Sequence, residues 1–380
     1  MRVAFNATAL LSPLTGIGQY SYHLAQALQA RGDMELDFFY GTGWNEQIRS
    51  QAMPGVLTIK SALTRFFPNS YAIGRFVQQQ RFQSGMRARQ HAIYHEPNIL
   101  AFKSRAPTVI TVHDLSWIRY PHAHPARRVR AMNQFFEKSL SSAALILTDS
   151  AFVKRELIDI CQVSTERIVP IALGVETMFR PRSAGETQAV LQAYGLRHGE
   201  YLIAVGTLEP RKNLRLALRA FTLLPPAVRQ RYPLVLVGMT GWHSSALERQ
   251  IEPLLRSGEV RQLGYLSREA LASVLAGAKT LIYPSIYEGF GLPPLEAMAS
   301  GVPVIASNTS SLPEVIGDTG MAIDPDDVEG LARAMAELLD DEQLCRTLAQ
   351  KALARSKLFS WKRCADETAN AYLRVIKASC

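Results

Sequence analysis

Two glutamates, Glu288 and Glu296, stand eight positions apart around the run Gly289-Phe-Gly-Leu-Pro-Pro-Leu295. Pro293 and Pro294 suit a first helical turn, where a missing N–H costs little. Leu295, Ala297, Met298 and Ala299 continue that helix, and Gly301 suits its stop. The backbone N–H groups of Phe290, Gly291 and Leu292 then lie at a helix N-terminus, where unsatisfied donors and the helix dipole favour phosphate. A carboxylate cannot hold phosphate itself, but it can accept hydrogen bonds from hydroxyls on either side of one. Phosphate in the middle and hydroxyls at both ends describe a sugar nucleotide. The plain alternative is a strand, a turn and a surface helix with two solvated glutamates. Gly-Phe-Gly ahead of Pro-Pro argues against it, because glycine is used where backbone must come close to a ligand.

A second segment, Gly206-Thr-Leu-Glu-Pro-Arg-Lys-Asn213, joins an expected strand to an expected helix. Arg211 and Lys212 fall at the helix entrance, where cations are unfavourable by roughly 0.3–1 kcal/mol unless an anion is present. A charge-assisted hydrogen bond to phosphate, worth about 1.5–3 kcal/mol, would reverse that penalty. The alternative is a solvated basic turn. Gly16-Ile-Gly18 precedes the first helix but is followed by Gln19-Tyr-Ser21, so it is not a full dinucleotide fingerprint. It reads as a flexible turn or as a loop closing over a diphosphate or an acceptor. His113 ends the apolar run Val109–Val112, either as a satisfied supporting residue or as a member of a site. No Cys, His or carboxylate cluster nearby has metal-ligand spacing. Asn308–Glu314 resembles a short capped helix with Glu314 inside it.

The elements that must position these residues alternate along the chain. Strands are expected at Arg2–Asn6, Glu35–Tyr40, Ala92–His95, Thr108–Val112, Ala144–Thr148 and Arg167–Ile171, then at Tyr201–Gly206, Leu234–Gly238, Val260–Leu263, Thr280–Pro284 and Val302–Ala306. Many are continuous apolar runs, as in parallel strands buried on both faces. Helical patterns lie between them, at Gln19–Ala30, Leu214–Leu223, Arg268–Ala276 and Val328–Leu339. This βαβ alternation predicts an α/β chain of two doubly wound, Rossmann-like domains facing across a cleft. The boundary falls near Gly174–Gly199, giving residues 1–175 and 176–360, with room for an amphipathic helix at about 361–380 to pack back on the first domain. Ligands in such sheets bind beyond the carboxyl ends of strands, where Ser12–Gly18, His113-Asp114, Gly206–Asn213 and Tyr287–Leu292 all stand.

The 380 residues are 47% hydrophobic and 20% charged, ordinary for a globular protein. No apolar run approaches the ~20 residues that span a bilayer, and the N-terminus lacks a signal peptide's regions. Four scattered cysteines read as reduced thiols, so a cytosolic protein is expected. Residues 60–130 hold 12 Lys/Arg against 2 Asp/Glu, with Phe66, Phe67, Tyr71, Phe76, Phe82, Trp117 and Tyr120 among them. That stretch is a basic solvated face or a peripheral contact with anionic lipid, where each basic residue adds ~1 kcal/mol. No motif supports nucleic-acid binding.

With these residues in place, the chain resembles the retaining GT-B glycosyltransferases of family four (group 1), which carry a paired-glutamate signature like Glu288 to Glu296. The likeness takes in Val205–Asn213, Arg261–Leu266, Asn308–Glu314 and Ile323–Pro325, and, through Thr111–Asp114 and the first loop with Gly16 and Gly18, the N-terminal half. Its Gly206–Asn213 form is most similar to bacterial mannosyl- and deoxyhexosyltransferases of O-antigen and polysaccharide assembly. The resemblance implies that Glu288 holds hydroxyls of the donor hexose and Glu296 those of the ribose. The amides of Gly289, Phe290, Gly291 and Leu292 would meet the distal phosphate and sugar, and Arg211 and Lys212 would neutralise the leaving diphosphate. His113 would contact the donor sugar near its reacting carbon, and backbone at Tyr265 and Leu266 would meet the base. Many members carry arginine after the strand glycine; here that position is Thr207.

It further implies transfer of mannose or D-rhamnose from a GDP-sugar, with retention, to a lipid-linked glycan at the inner membrane surface. No Asp-x-Asp occurs in a metal-binding context, Asp324-Pro-Asp326 lying at a later strand end, so neither metal nor other cofactor is expected. Alternatives are a UDP-hexose donor, a sugar-nucleotide epimerase of the same architecture, and a non-enzymatic binding protein.

Overall fold

The apolar runs fold as short, fully buried parallel strands. Val3, Ala4 and Phe5 of one strand and Val109, Ile110 and Val112 of another have no exposed surface, which is why they carry no alternation of polar residues. The computed structural model describes residues 1–12, 14–49, 70–239 and 245–379. They form two compact units. The first comprises Met1–Leu115, Arg130–Gly174 and the segment from Trp361 to the C-terminus; the second comprises Ser116–Val129 and Val175–Ser360. The segment Ser116–Val129 thus groups with the second unit, although the sequence places it well inside the first domain.

The first unit is built on a seven-stranded sheet of β1 (Arg2–Asn6), β2 (Glu35–Phe39), β3 (Trp44–Asn45), β4 (Ile93–Glu96), β5 (Thr108–Val112), β6 (Leu145–Thr148) and β7 (Ile168–Pro170), in the order β3-β2-β1-β4-β5-β6-β7. All neighbours are parallel except β2 and β3, whose antiparallel pairing makes the sheet mixed rather than wholly parallel. Two residues are too few for a periodic signal, so β3 was invisible in the sequence. The helix Gly16–Ala30 packs against the C-terminal helix Trp361–Ser379. Buried hydroxyls and an imidazole tie both helices to the sheet. Tyr20 Oη lies 2.9 Å from Thr111 Oγ1, His95 Nε2 2.9 Å from the same oxygen, and His95 Nδ1 2.6 Å from Tyr372 Oη.

Gly16 and Gly18 are corrected here. They form the first turn of the helix Gly16–Ala30 rather than a loop ahead of it. Neither has a positive φ, so nothing in the backbone holds them out of the helix. A Cβ on Gly18 would stand 3.1 Å from Leu14 Cδ2, so this glycine serves close packing. Within the basic stretch, Phe82 and Trp117 are buried at 0% and 4% exposure and are unavailable to a membrane, whereas Phe76 is 64% exposed. Phe66, Phe67 and the Tyr71 side chain lie outside the described residues.

The second unit holds a six-stranded, all-parallel sheet of β8 (Leu202–Val205), β9 (Leu234–Val237), β10 (Val260–Gly264), β11 (Thr280–Tyr283), β12 (Val304–Ser307) and β13 (Met321–Ile323), in the order β10-β9-β8-β11-β12-β13. The chain leaves β8 toward β9 and β10 on one side, then returns to build β11, β12 and β13 on the other. The strand order therefore reverses between β8 and β11, the place where doubly wound sheets bind ligands. Leu202, Ala204, Leu234, Leu236 and Ile305 share a core with Ala217, Phe221, Leu331 and Met335 from the helices Leu214–Thr222 and Val328–Asp340. Gly238 closes β9 against β8 with φ +148; a Cβ there would lie 2.0 Å from the Gly206 carbonyl oxygen.

Candidate active site

The turn after β8 and the loop after β11 are built as one piece. Beyond Gly206 the chain makes a 3-10 turn at Pro210–Lys212, reverses through Asn213 in the left-handed region (φ 53, ψ 36), and enters the helix Leu214–Thr222. Asn213 holds that reversal by donating from Nδ2 to the Pro325 carbonyl at 2.7 Å. Across from it, Ile286 N donates to the Arg211 carbonyl at 2.9 Å. Arg211 returns the contact, donating from Nη1 to the Tyr287 carbonyl at 2.9 Å. The turn after β12 secures the far side. Ser310 Oγ accepts from Glu288 N at 3.1 Å, and Ser311 Oγ reaches the carbonyls of Glu288 and Phe290 at 2.9 and 2.8 Å.

The charged side chains meet inside this frame. Glu288 Oε2 accepts from Arg211 Nη1 at 2.9 Å, and Oε1 accepts from Lys212 Nζ at 2.6 Å. Arg211 Nη2 also pairs with Glu209 Oε1 at 2.6 Å. Two carboxylates thus balance two cations, and the set is formally neutral. That balance is what lets it be buried, since losing one partner of a buried pair costs about 3–5 kcal/mol. Burial opposes ionisation of Glu288, but the charges of Lys212 and Arg211 outweigh it and hold the carboxyl down at about 2. Burial pulls the Lys212 ammonium below its ordinary range, against the attraction of Glu288. Lys212 uses two of its three N–H bonds, on Glu288 and Tyr283; the third meets no protein acceptor among the described residues. Lys212, Gly206, Tyr283 and Ser285 line a small pocket at this point.

The helix Leu292–Ala299 opens beside the cluster. Gly291 caps it in the left-handed half of conformational space (φ 117, ψ 57), with no side chain on the cap. The amides of Phe290, Gly291 and Leu292 donate to no protein acceptor among the described residues. Donors of this kind at a helix start favour an anion. One turn on, buried Glu296 is held through Oε1 by Arg268 Nη2 at 2.7 Å, and its Oε2 carries no bond among the described residues. Arg268 also donates from Nε to Glu176 at 2.9 Å and lies 4.6 Å over the Phe179 ring. Thr207 follows β8 directly and its hydroxyl bonds to no described residue. After β10, Tyr265 is 51% exposed and Leu266 is buried.

In the first unit, His113 stands just beyond β5. Its Nδ1 lies 2.7 Å from Asp149 Oδ2 and its Nε2 2.9 Å from the Pro97 carbonyl. Burial works against the imidazolium and raises the Asp149 carboxyl, while the Asp149 charge and both hydrogen bonds raise His113. A carbonyl can only accept, so Nε2 carries a proton, and the geometry supports a raised His113. Its nitrogens are both engaged within the unit. The sequence reading passed over Asp149, yet a signal existed: it follows the apolar strand β6 as His113 follows β5. Tyr283, Arg268 and Glu176 were also missed, because their partners are distant in sequence, and Glu209 was passed over although Arg211 stands only two positions on.

A Rossmann-like unit here carries open helix-start amides and a neutralised cation pair at its strand switch, the place where doubly wound sheets bind ligands. Comparison with known proteins narrows the class. Residues 192–355 match the model of glycosyl transferases group 1, and residues 14–179 match that of glycosyltransferase family 4. The chain is 40% identical to the O-antigen chain mannosyltransferase B of Escherichia coli over 378 residues, covering 98% of this chain and 99% of that one. It is 33% identical to the serotype-specific mannosyltransferase WbdA of Escherichia coli over 285 residues, covering 72% of this chain and 34% of that longer protein. The structure of a sucrose-phosphate synthase from Thermosynechococcus elongatus superposes with a TM-score of 0.79 at 22% identity, over 99% of both chains. The chain belongs to glycosyltransferase family 4, the group 1 glycosyl transferases, and has the GT-B fold.

Proposed function

We propose that the chain transfers mannose from GDP-mannose, with retention of anomeric configuration and without a metal ion, to a lipid-linked glycan in polysaccharide assembly. The observation that carries this reading is the neutral Glu209–Arg211–Glu288–Lys212 cluster beside the open amides of residues 290–292. The mannosyltransferase names of the two relatives support the sugar, and the near-complete overlap with the first supports the whole reaction.

As the glycosidic bond breaks, negative charge grows on the leaving diphosphate. The third Lys212 N–H and the helix-start amides are fixed donors for that charge, and one such donor is worth about 10²–10³ in rate. A carboxylate offers about four acceptor positions. Arg211, Lys212 and Tyr283 occupy three on Glu288, and a sugar hydroxyl would share the fourth with the neighbouring Ser285 hydroxyl. Glu296 Oε2 is likewise open for a ribose hydroxyl. Protein cations take the role that a metal ion has elsewhere, and the departing phosphate accepts the acceptor's proton on the same face.

The test is incubation with GDP-mannose, GDP-D-rhamnose or UDP-glucose, with and without a lipid-linked glycan acceptor, in the presence of chelator. Acceptor-dependent GDP release with a retained anomeric centre is expected. Release from UDP-glucose alone would move the donor to the UDP-hexoses, acceptor-independent isomerisation would mean an epimerase, and activity restored only by manganese would overturn metal independence. The reading places the enzyme in the cytoplasm, at the inner membrane face through its basic N-terminal half. Vesicle binding indifferent to salt and to anionic lipid would reject that contact.

A further inference from the structure

We propose that Tyr283 is a positioning residue for the transfer site: its hydroxyl fixes the Lys212 ammonium so that one N–H stays free for the donor diphosphate. The inference rests on the functional reading above and deepens it.

Tyr283 ends β11, and its side chain is 2% exposed. The other members of that strand, Thr280, Leu281 and Ile282, are buried as well. A phenylalanine would satisfy the packing equally, so the hydroxyl calls for a separate explanation. A buried phenol has one proton to give and lone pairs to receive. Here the hydroxyl accepts from Lys212 Nζ at 2.9 Å and donates to Glu288 Oε1 at 3.0 Å, closing a triangle with the Lys212–Glu288 contact of 2.6 Å. The ammonium lies at the hydroxyl edge of the ring, 5.2 Å from its centroid. Two of the three Lys212 N–H bonds are therefore directed by fixed groups on different elements, and tetrahedral geometry sets the third. Without the hydroxyl, the ammonium keeps one directed bond and can rotate about it.

The charged and titratable groups facing Lys212 are Glu288 from the loop, Glu209 and Arg211 from its own turn, and Tyr283 from the strand. The phenol stays protonated, since burial drives its ionisation well above the ordinary tyrosine range. Removing an acceptor from a buried ammonium disfavours the charged form. A Tyr283→Phe enzyme should thus lose Lys212's charge at a lower pH than the wild type.

The test is GDP binding by calorimetry across pH 6–10, for wild type, Y283F, K212A and the double variant. Y283F is expected to unfold cooperatively like wild type, to bind GDP roughly 10-fold more weakly, as misplacement of a fixed donor implies, and to lose affinity at lower pH than wild type. In the K212A background, Y283F should have no further effect. An equal loss in both backgrounds, an unshifted alkaline limb, or a Y283F chain that does not fold would each overturn the proposal, showing a hydroxyl that serves the fold. If wild type binds no GDP, the functional reading falls and takes this inference with it. If wild type binds GDP and the cycle shows no coupling, only the role of Tyr283 falls.

Discussion

Lys212 and Glu288 carry opposite duties in one contact. In the proposed transfer Lys212 presents positive charge to the phosphate, while Glu288 offsets the cost of burying that charge. K212A should slow GDP release by about 10²–10³, the loss of one preorganised donor, and unchanged kinetics would remove Lys212 from the site. E288Q keeps the shape and leaves Glu209 on Arg211, so the protein should fold while transfer falls about 10- to 100-fold, the worth of a hydrogen bond to a charged group. Acid stability reports on the same carboxyl. Its folded value near 2 lies below the ordinary 4.5, so its contribution is present above 4.5 and is lost as pH falls toward 2. Thermal unfolding of wild type followed from pH 6 to pH 3 should show a decline that E288Q lacks; parallel curves would mean that the pair contributes nothing. Glu288, Glu296, Arg211 and Lys212 were legible in the sequence because type and spacing expose them. Their pairings were not, since Lys212 and Tyr283 lie 71 positions apart and Arg268 and Glu176 lie 92 apart.

At the scale of elements, the site depends on how β11 passes into the helix Leu292–Ala299. Gly291 takes φ +117, and a Cβ there would lie 2.9 Å from Leu312 Cδ2. G291A should therefore strain the cap and turn the amides of residues 290–292 away from their common direction. Strain of this kind costs about 1–3 kcal/mol, which should appear as a lower Tm with a larger loss of GDP affinity. A lower Tm with unchanged affinity would separate the amides from the ligand. Long buried strands were readable as apolar runs, and Thr108–Val112 matches residue for residue. The edge strand β3, of two residues, leaves no such run, and β13 was foreseen only as a strand end before Asp324. The Gly16-Ile-Gly18 segment misled for another reason: glycine permits a loop but does not require one, and the helix continues through it.

For the whole molecule, the first unit is completed only by the end of the chain. The helix Trp361–Ser379 returns to cover the helix Gly16–Ala30, with buried Tyr372 on His95 and Arg31 bonded to Asp366. A chain ending at Ser360 should keep the second unit's unfolding transition and lose that of the first, because the buried face of the helix Gly16–Ala30 and His95 would meet water; two intact transitions by calorimetry would contradict this. The sequence showed an amphipathic tail, but only the fold shows which surface it covers.

The central claim is that the cluster after β8 and β11 receives the donor's diphosphate. A crystal structure of the protein with GDP-mannose tests it most directly. The diphosphate should lie within hydrogen-bonding distance of Lys212 Nζ and the amides of residues 290–292, with Glu288 accepting from a mannose hydroxyl. A donor bound elsewhere, with those amides and Lys212 left untouched, would contradict the account.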